Sequence, residues 1–376
     1  MSMNKVSVPF VMALLGSMVS PAHEKAPEVA PVTVEADGTV HIPPMTVPYS
    51  FLASPEAKRN FLDLIHDKAC VSEGLDKHAS IEAKRKRIDD CLMRPGVERL
   101  RAVFAVDIKP KMIGGVQTDV VQPADGVPEK NKRRVLINLH GGGFEVGARW
   151  GGQIESIPVA SLGAIRVITV DYREGPEYRF PAASEDVVAV YRELLKSYKP
   201  KNIGIYGCSA GGLLTAEMMA WLHKEGMPLP GAIGMFCGGG VWWGHGDSAY
   251  VNAELMNVVP LPNPSDENLS DEESPYFSSY FKGVNPNDSL AFPALSPELM
   301  RTFPPSLLIA GTRDLALSSV VYTHSVLISQ GVDAELHVWE GAAHAIFAQP
   351  VVDPSVPETR QAWDVIVKFF DSKLGK

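Results

Sequence analysis

Cysteine is scarce, with four in 376 residues, at positions 70, 91, 208 and 237. Their scatter matches no metal-ligand spacing, so no metal site is expected. Net positive charge is absent as well: 35 Lys and Arg stand against 44 Asp and Glu, a formal charge of −9. A surface of that sign repels phosphate, which argues against nucleic-acid partners and anionic membrane surfaces. The apolar run near the amino terminus is too short to span a bilayer. With 45% hydrophobic and 21% charged residues, the composition excludes wholesale disorder and suffices for one large core with an appended lid.

That amino-terminal run has the three parts of an export signal: Lys5, the apolar "VSVPFVMALLGSMV", and a small-residue cleavage site at Ser20, Pro21 and Ala22. Residues 1–22 are therefore predicted to be a signal peptide. The mature chain would be periplasmic or secreted, without stable membrane insertion; if the leader is not a signal, it stays in the cytoplasm. In an oxidising compartment Cys70 and Cys91 can pair, and two reduced core cysteines are the other reading. Cys237, inside "GAIGMFCGGG", reads as a buried strand residue.

A Pro-rich linker over 23–48 leads into a helical stretch over 49–101, whose charge runs read as solvated helix faces. From residue 102 the texture changes to short, continuous apolar runs: "GGVQTDVVQP", "RRVLINLH", "IRVITVDY", "NIGIYGCS", "GAIGMFCG", "SLLIAGTRD" and "AELHVWEG". Helical patterns lie between most of them. That alternation predicts an α/β fold, a mainly parallel sheet covered by helices, over 102–240 and 305–376. Residues 241–304 break the rhythm with an acidic, Pro-rich, aromatic insertion that reads as a lid. No internal repeat is evident.

Active groups in such a sheet gather where strands end and helices begin. "GCSAG" occupies such a junction and sets Cys208 beside Ser209. A sharp strand-to-helix turn needs small residues two positions to either side of its apex. Gly207 and Gly211 bracket Ser209, whereas a cysteine apex would put Tyr206 at one of those positions. Ser209 is thus the expected nucleophile; a Gly-rich turn with a surface serine is the bland alternative. Serine needs a base and the base an orienting acid. His344, in the small-residue loop "EGAAHAIF" after the last strand, fits the first role, and Asp314, at the end of "SLLIAGTRD", the second. Capping of the following helix is the alternative for Asp314. "HGGGF" at 140–144 offers backbone N–H groups for a developing oxyanion. It lacks the Lys and Ser/Thr of a P-loop, and "GGGVWWG" does not match a dinucleotide fingerprint, so no cofactor is expected.

Taken together, "HGGGF", "DYREGPEYRFPAASED", "GCSAGG", "GTRDLALSS" and "EGAAHAIF" closely resemble the bacterial hormone-sensitive lipase family of α/β-hydrolase esterases. The resemblance covers roughly residues 100–376. It implies an eight-stranded, mostly parallel sheet, with a helical cap built from 49–101 and 241–304. It implies a Ser209–Asp314–His344 triad and an oxyanion hole from the N–H groups of Gly142, Gly143 and Ala210. The implied activity is that of a serine carboxylesterase on short- to medium-chain esters. Phe144, Trp242 and Trp243 are candidate substrate contacts, with Tyr276, Phe277, Tyr280 and Phe281 as further cap aromatics. Packing within the cap is the competing reading for each.

Two departures stand out. The family commonly has Asp where this chain has Cys208, which removes a carboxylate beside the nucleophile, and Leu-Ala where it has Glu174 and Gly175. Arg173 and Glu177 nearby read as structural supports. Two rival functions stay open: the same triad acting on amides or lactones, and a non-catalytic small-molecule binder on a hydrolase scaffold. Loss of the histidine marks the second, and His344 is present. A small-molecule ester is the expected partner, and a homodimer is left open.

Overall fold

The computed structural model describes residues 31–36, 38–72, 79–242, 244, 246–255, 279–348 and 352–375, with backbone only at 66–72 and 254. The predicted signal peptide, Trp243, Tyr276, Phe277 and the side chain of Cys70 lie outside the described residues. The chain divides into two units after Pro48. In the first, β1 (Thr33–Val34) pairs antiparallel with β2 (Val40–His41).

The second unit opens with helices α1 (Pro55–Ser72), α2 (Ile81–Ile88) and α3 (Arg94–Val103), the last two joined by a π-turn at Asp89–Met93. Ser54 caps α1, accepting the Ala57 N–H at 3.0 Å. The antiparallel hairpin β3 (Val106–Ile113) and β4 (Val116–Pro123) follows, then β5 (Val135–Leu139), α4 (Trp150–Gly163), β6 (Val167–Val170) and α5 (Ala182–Leu194). The chain continues through β7 (Ile203–Cys208), α6 (Ala210–Lys224), β8 (Ala232–Phe236), α7 (Asp247–Leu255) and α8 (Pro297–Met300). It closes with β9 (Ser306–Arg313), α9 (Leu317–Ser329), β10 (Ala334–Ala343) and α10 (Pro357–Lys373).

Eight strands form one sheet in the order β10-β9-β8-β7-β5-β6-β4-β3. Pairing is parallel from β10 through to β6, and antiparallel between β6, β4 and β3. Every residue of β5, β7 and β8 is buried, which is why these strands read as unbroken apolar runs rather than alternating ones. The core therefore lies on both faces. On one, Leu213, Met218 and Val187 pack with Ile137 and Ile205; on the other, Ile154, Ile157 and Trp363 pack with Leu136 and Leu307.

Three features differ from expectation. β3 precedes the first strand read from sequence; Pro110 hides it, yet an edge strand tolerates proline because one side of its ladder is unpaired. α4 has no apolar period because residues 151–160 are buried all round its axis. Part of the segment read as a lid packs inward: Tyr280, Phe281, Phe292 and Met300 are buried in the core.

Candidate active site

Ser209 joins β7 to α6 with φ +57° and ψ −119°, a strained conformation for a residue with a side chain. A Cβ at Gly207 would lie 2.2 Å from the Leu139 carbonyl oxygen, and one at Gly211 only 1.7 Å from it. The turn thus closes only around glycine at both places, and Ser209 is its apex. Cys208 points into the core, 1% exposed, and burial pushes its thiol well above the ordinary range. It is no nucleophile at neutral pH, since only the thiolate attacks.

Asp314 follows β9 and is fully buried. Its Oδ1 accepts the Ala316 N–H at 2.8 Å and lies 2.7 Å from His344 Nδ1. A carboxylate there fixes the proton on Nδ1 and leaves Nε2 as the basic nitrogen. Burial alone would lower the His344 pKa, but the charge and hydrogen bond of Asp314 outweigh it and the net direction is up. Behind the pair, Asn252 of α7 donates to the Asp314 carbonyl at 2.9 Å, and the Ala345 N–H reaches Cys237 Sγ at 3.2 Å. Cys237, Asp314 and His344 present S, O and N atoms within 4.8 Å of one another. In this group Asp314 and His344 are bonded to each other.

The glycine loop leaves β5 beside the elbow. A Cβ at Gly141 would stand 3.3 Å from Ser209 Cβ, and one at Gly142, where φ is +122°, would fall 1.8 Å from the Val146 carbonyl oxygen. Among the described residues no acceptor takes the N–H of Gly142 or Gly143. The N–H of Ala210, first residue of α6, has no partner within the helix. His140 anchors the loop from below: it stacks on Tyr172 at 4.2 Å, accepts the Tyr172 hydroxyl at its carbonyl, and burial pushes its ring down to about 4.

Ser209, His344, Gly142 and Gly143 all open onto one cavity of about 260 Å³, closed by Leu64 of α1 and Met93 of the π-turn. The structure so brings together the residues singled out from sequence as nucleophile, base, acid and oxyanion donors. It does not bring the candidate substrate aromatics to them. Phe144 and Trp242 are 1% and 3% exposed and do not border the cavity. Phe144 stacks on Tyr280 at 4.8 Å, and Phe144 and Trp242 each meet Phe281 edge-on. As substrate contacts they are corrected to core packing: their size made them anchors of the cap rather than walls of the pocket.

Glu174 and Gly175 belong to a knot beside the glycine loop. Arg85 of α2 donates to the Glu145 carbonyl at 2.7 Å, the Gly175 carbonyl at 2.8 Å and the Glu177 carboxylate, with buried Glu174 3.6 Å away. Glu145 accepts the Ser279 N–H and hydroxyl. A Cβ at Gly175 would come within 2.6 Å of Ser279 Oγ, so alanine does not fit there. Arg173 binds Asp186 and Glu185. Sequence reasoning missed two residues at this site. Arg85 was hidden in a basic run, and Glu155 in a helix without period; the Glu155 carboxyl borders the cavity and accepts the Gly141 N–H. Cys91 is disulfide-bonded.

Comparison with known proteins adds a separate line. Residues 136–348 match a family described as the α/β hydrolase fold. An acetyl-hydrolase of Streptomyces hygroscopicus is 25% identical over 252 residues, 66% of this chain and 79% of that protein. Among solved structures, esterase E25 has a TM-score of 0.73 at 29% identity, over 89% of this chain and 99% of its own. An esterase from the bacterial hormone-sensitive lipase family has a TM-score of 0.69 at 26% identity, over 86% and 99%.

Proposed function

The chain belongs to the α/β-hydrolase fold family, in its bacterial hormone-sensitive lipase type, and is a carboxylic ester hydrolase; from that premise we propose that Ser209, His344 and Asp314 are its catalytic triad and short- to medium-chain esters its substrates. His344 Nε2 takes the proton of the Ser209 hydroxyl as Oγ attacks the ester carbonyl carbon. The oxygen that gains the negative charge is met by the N–H groups of Gly142, Gly143 and Ala210. On collapse the protonated imidazole gives its proton to the leaving alcohol, leaving an acyl group on Ser209. Water, deprotonated by His344, then attacks that acyl carbon; as the bond to Ser209 Oγ breaks, the imidazolium returns the proton to Oγ and the acid is released. Asp314 holds Nδ1–H throughout and stabilises the imidazolium.

The observation that carries this reading is the 2.7 Å His344–Asp314 bond, with Ser209 and His344 facing one cavity beside two glycine N–H groups that no described residue accepts. Similarity to an acetyl-hydrolase supports short acyl chains. Turnover of p-nitrophenyl esters across an acyl-length series, on wild type and Ser209→Ala, tests it. Activity should peak at short acyl groups and vanish in Ser209→Ala. A peak at long chains, or comparable rates on amides, would contradict it.

A further inference from the structure

Glu155 takes no part in the cycle above, yet it is 3% exposed on α4 and borders the cavity. Its Oε1 accepts the Gly141 N–H at 2.8 Å and its Oε2 accepts from Asn138 Nδ2 at 2.8 Å. Gly141 itself lies against the elbow: a Cβ there would stand 3.0 Å from the Cys208 carbonyl oxygen and 3.3 Å from Ser209 Cβ. Asn138 in turn accepts the Thr169 hydroxyl at 2.9 Å, and Tyr206 OH ties the Glu155 carbonyl to β7 at 3.2 Å. Glu155 thus joins the first residue of the glycine loop, through its carboxyl group, to the strand that carries the nucleophile, through its carbonyl.

Stability alone does not explain an acid here. A buried carboxyl costs free energy even when bonded, and burial pushes this one up against the pull of its hydrogen bonds. An apolar residue of similar volume would ordinarily be neutral or stabilising. What it would not do is hold Gly141. Beyond that residue the loop holds its own shape: His140 Nδ1 lies 2.8 Å from the Gly141 carbonyl oxygen, and the Gly142 carbonyl accepts the Glu145 and Val146 N–H groups at 3.1 Å. What those local bonds do not set is where the unit stands relative to the elbow, and Gly141 is where it is attached to α4.

We infer that Glu155 is a positioning residue: by gripping the Gly141 N–H from a helix that Tyr206 ties to β7, it sets the glycine loop against Ser209, so that Gly142 and Gly143 point at the oxyanion. This rests on the oxyanion-hole reading above. Catalysis is sensitive to such aim, because a misplacement of about 1 Å can cost on the order of a hundredfold in rate.

The test exchanges the partners of one hydrogen bond. Glu155→Gln presents an amide N–H to either Gly141 or Asn138, which are both donors; the double variant Glu155→Gln with Asn138→Asp restores a donor for each acceptor. Each is assayed with p-nitrophenyl butyrate and with an aryl trifluoromethyl ketone, whose adduct on Ser209 carries an oxyanion, against the parent methyl ketone. Glu155→Gln should lose about 10- to 100-fold in kcat and a similar factor in trifluoromethyl ketone affinity, with KM and methyl ketone affinity close to wild type. The double variant should recover most of both. If Glu155→Gln does not fold, the same recovery is read from Asn138→Asp to the double variant. A lowered Tm with kcat and ketone affinity unchanged, or a double variant that regains Tm but not kcat, overturns the inference. A wild type that fails to prefer the trifluoromethyl ketone overturns the oxyanion-hole reading instead.

Discussion

At Gly211, one hydrogen atom separates a working elbow from a collision: the Cβ of an alanine would stand 1.7 Å from the Leu139 carbonyl oxygen. Gly211→Ala should therefore lose more than about 3 kcal/mol of stability, the scale of severe overpacking, measured by urea unfolding. Asp314→Asn leaves the volume unchanged but removes the charge that fixes the imidazole tautomer. Its kcat should drop by about 10⁴-fold. The pH profile gives a second readout. Because Asp314 raises the His344 pKa, and only the neutral ring is a base, the acidic limb of kcat/KM should lie above that of an ordinary histidine and shift down in Asp314→Asn. An unmoved limb would mean that another group titrates there. The residues of the proposed triad stood out in the sequence because the constraint on them is steric and local: glycines must flank the apex, and acid and base must follow the last strands.

Elements were legible where burial has a period or a continuous run. β5, β7 and β8 announce themselves because both faces are covered. α4 does not: "WGGQIESIPVASLG" holds three glycines and Pro158 and is buried all round over 151–160, so no amphipathic stripe marks it and Glu155 passes for a helix-surface acid. The cap was legible as helical, but its attachment was not, since the Arg85 knot joins segments 60 to 92 residues apart. Arg85→Ala should weaken that attachment and strand the buried Glu174 without its cation. An unfolding free energy lower by about 1–3 kcal/mol is expected from lost charge-assisted bonds, held to that range because water reaches 25% of the Arg85 side chain. Denaturant titration checks it, and a change below about 0.5 kcal/mol, the scale of an ordinary surface substitution, would make the knot incidental.

For the molecule as a whole, buried acids set the pH dependence of stability. Burial pushes the Glu174 carboxyl up to about 8, and pushes Glu217 up as well. In the unfolded chain these groups ionise near 4.5, so between 4.5 and 8 the folded state binds more protons and stability falls as pH rises. His344, raised, adds to the same slope, with its contribution lost as pH climbs through its folded pKa. His140, depressed to about 4, opposes it only between about 4 and 6.5. Tm should therefore fall steadily from about pH 6.5 to 8.5, and less steeply in Glu174→Gln; a flat Tm across that window would contradict the assignment. The fold thus gains activity and loses stability over the same pH range. The central claim is that a histidine held by Asp314 activates Ser209 at the rim of this sheet. It is tested most directly by reaction with a p-nitrophenyl phosphonate, followed by peptide mass analysis. The account predicts one phosphonyl group on Ser209, attached at a rate that collapses in His344→Ala; a label on Cys208, or a Ser209 label whose rate ignores His344, would contradict it.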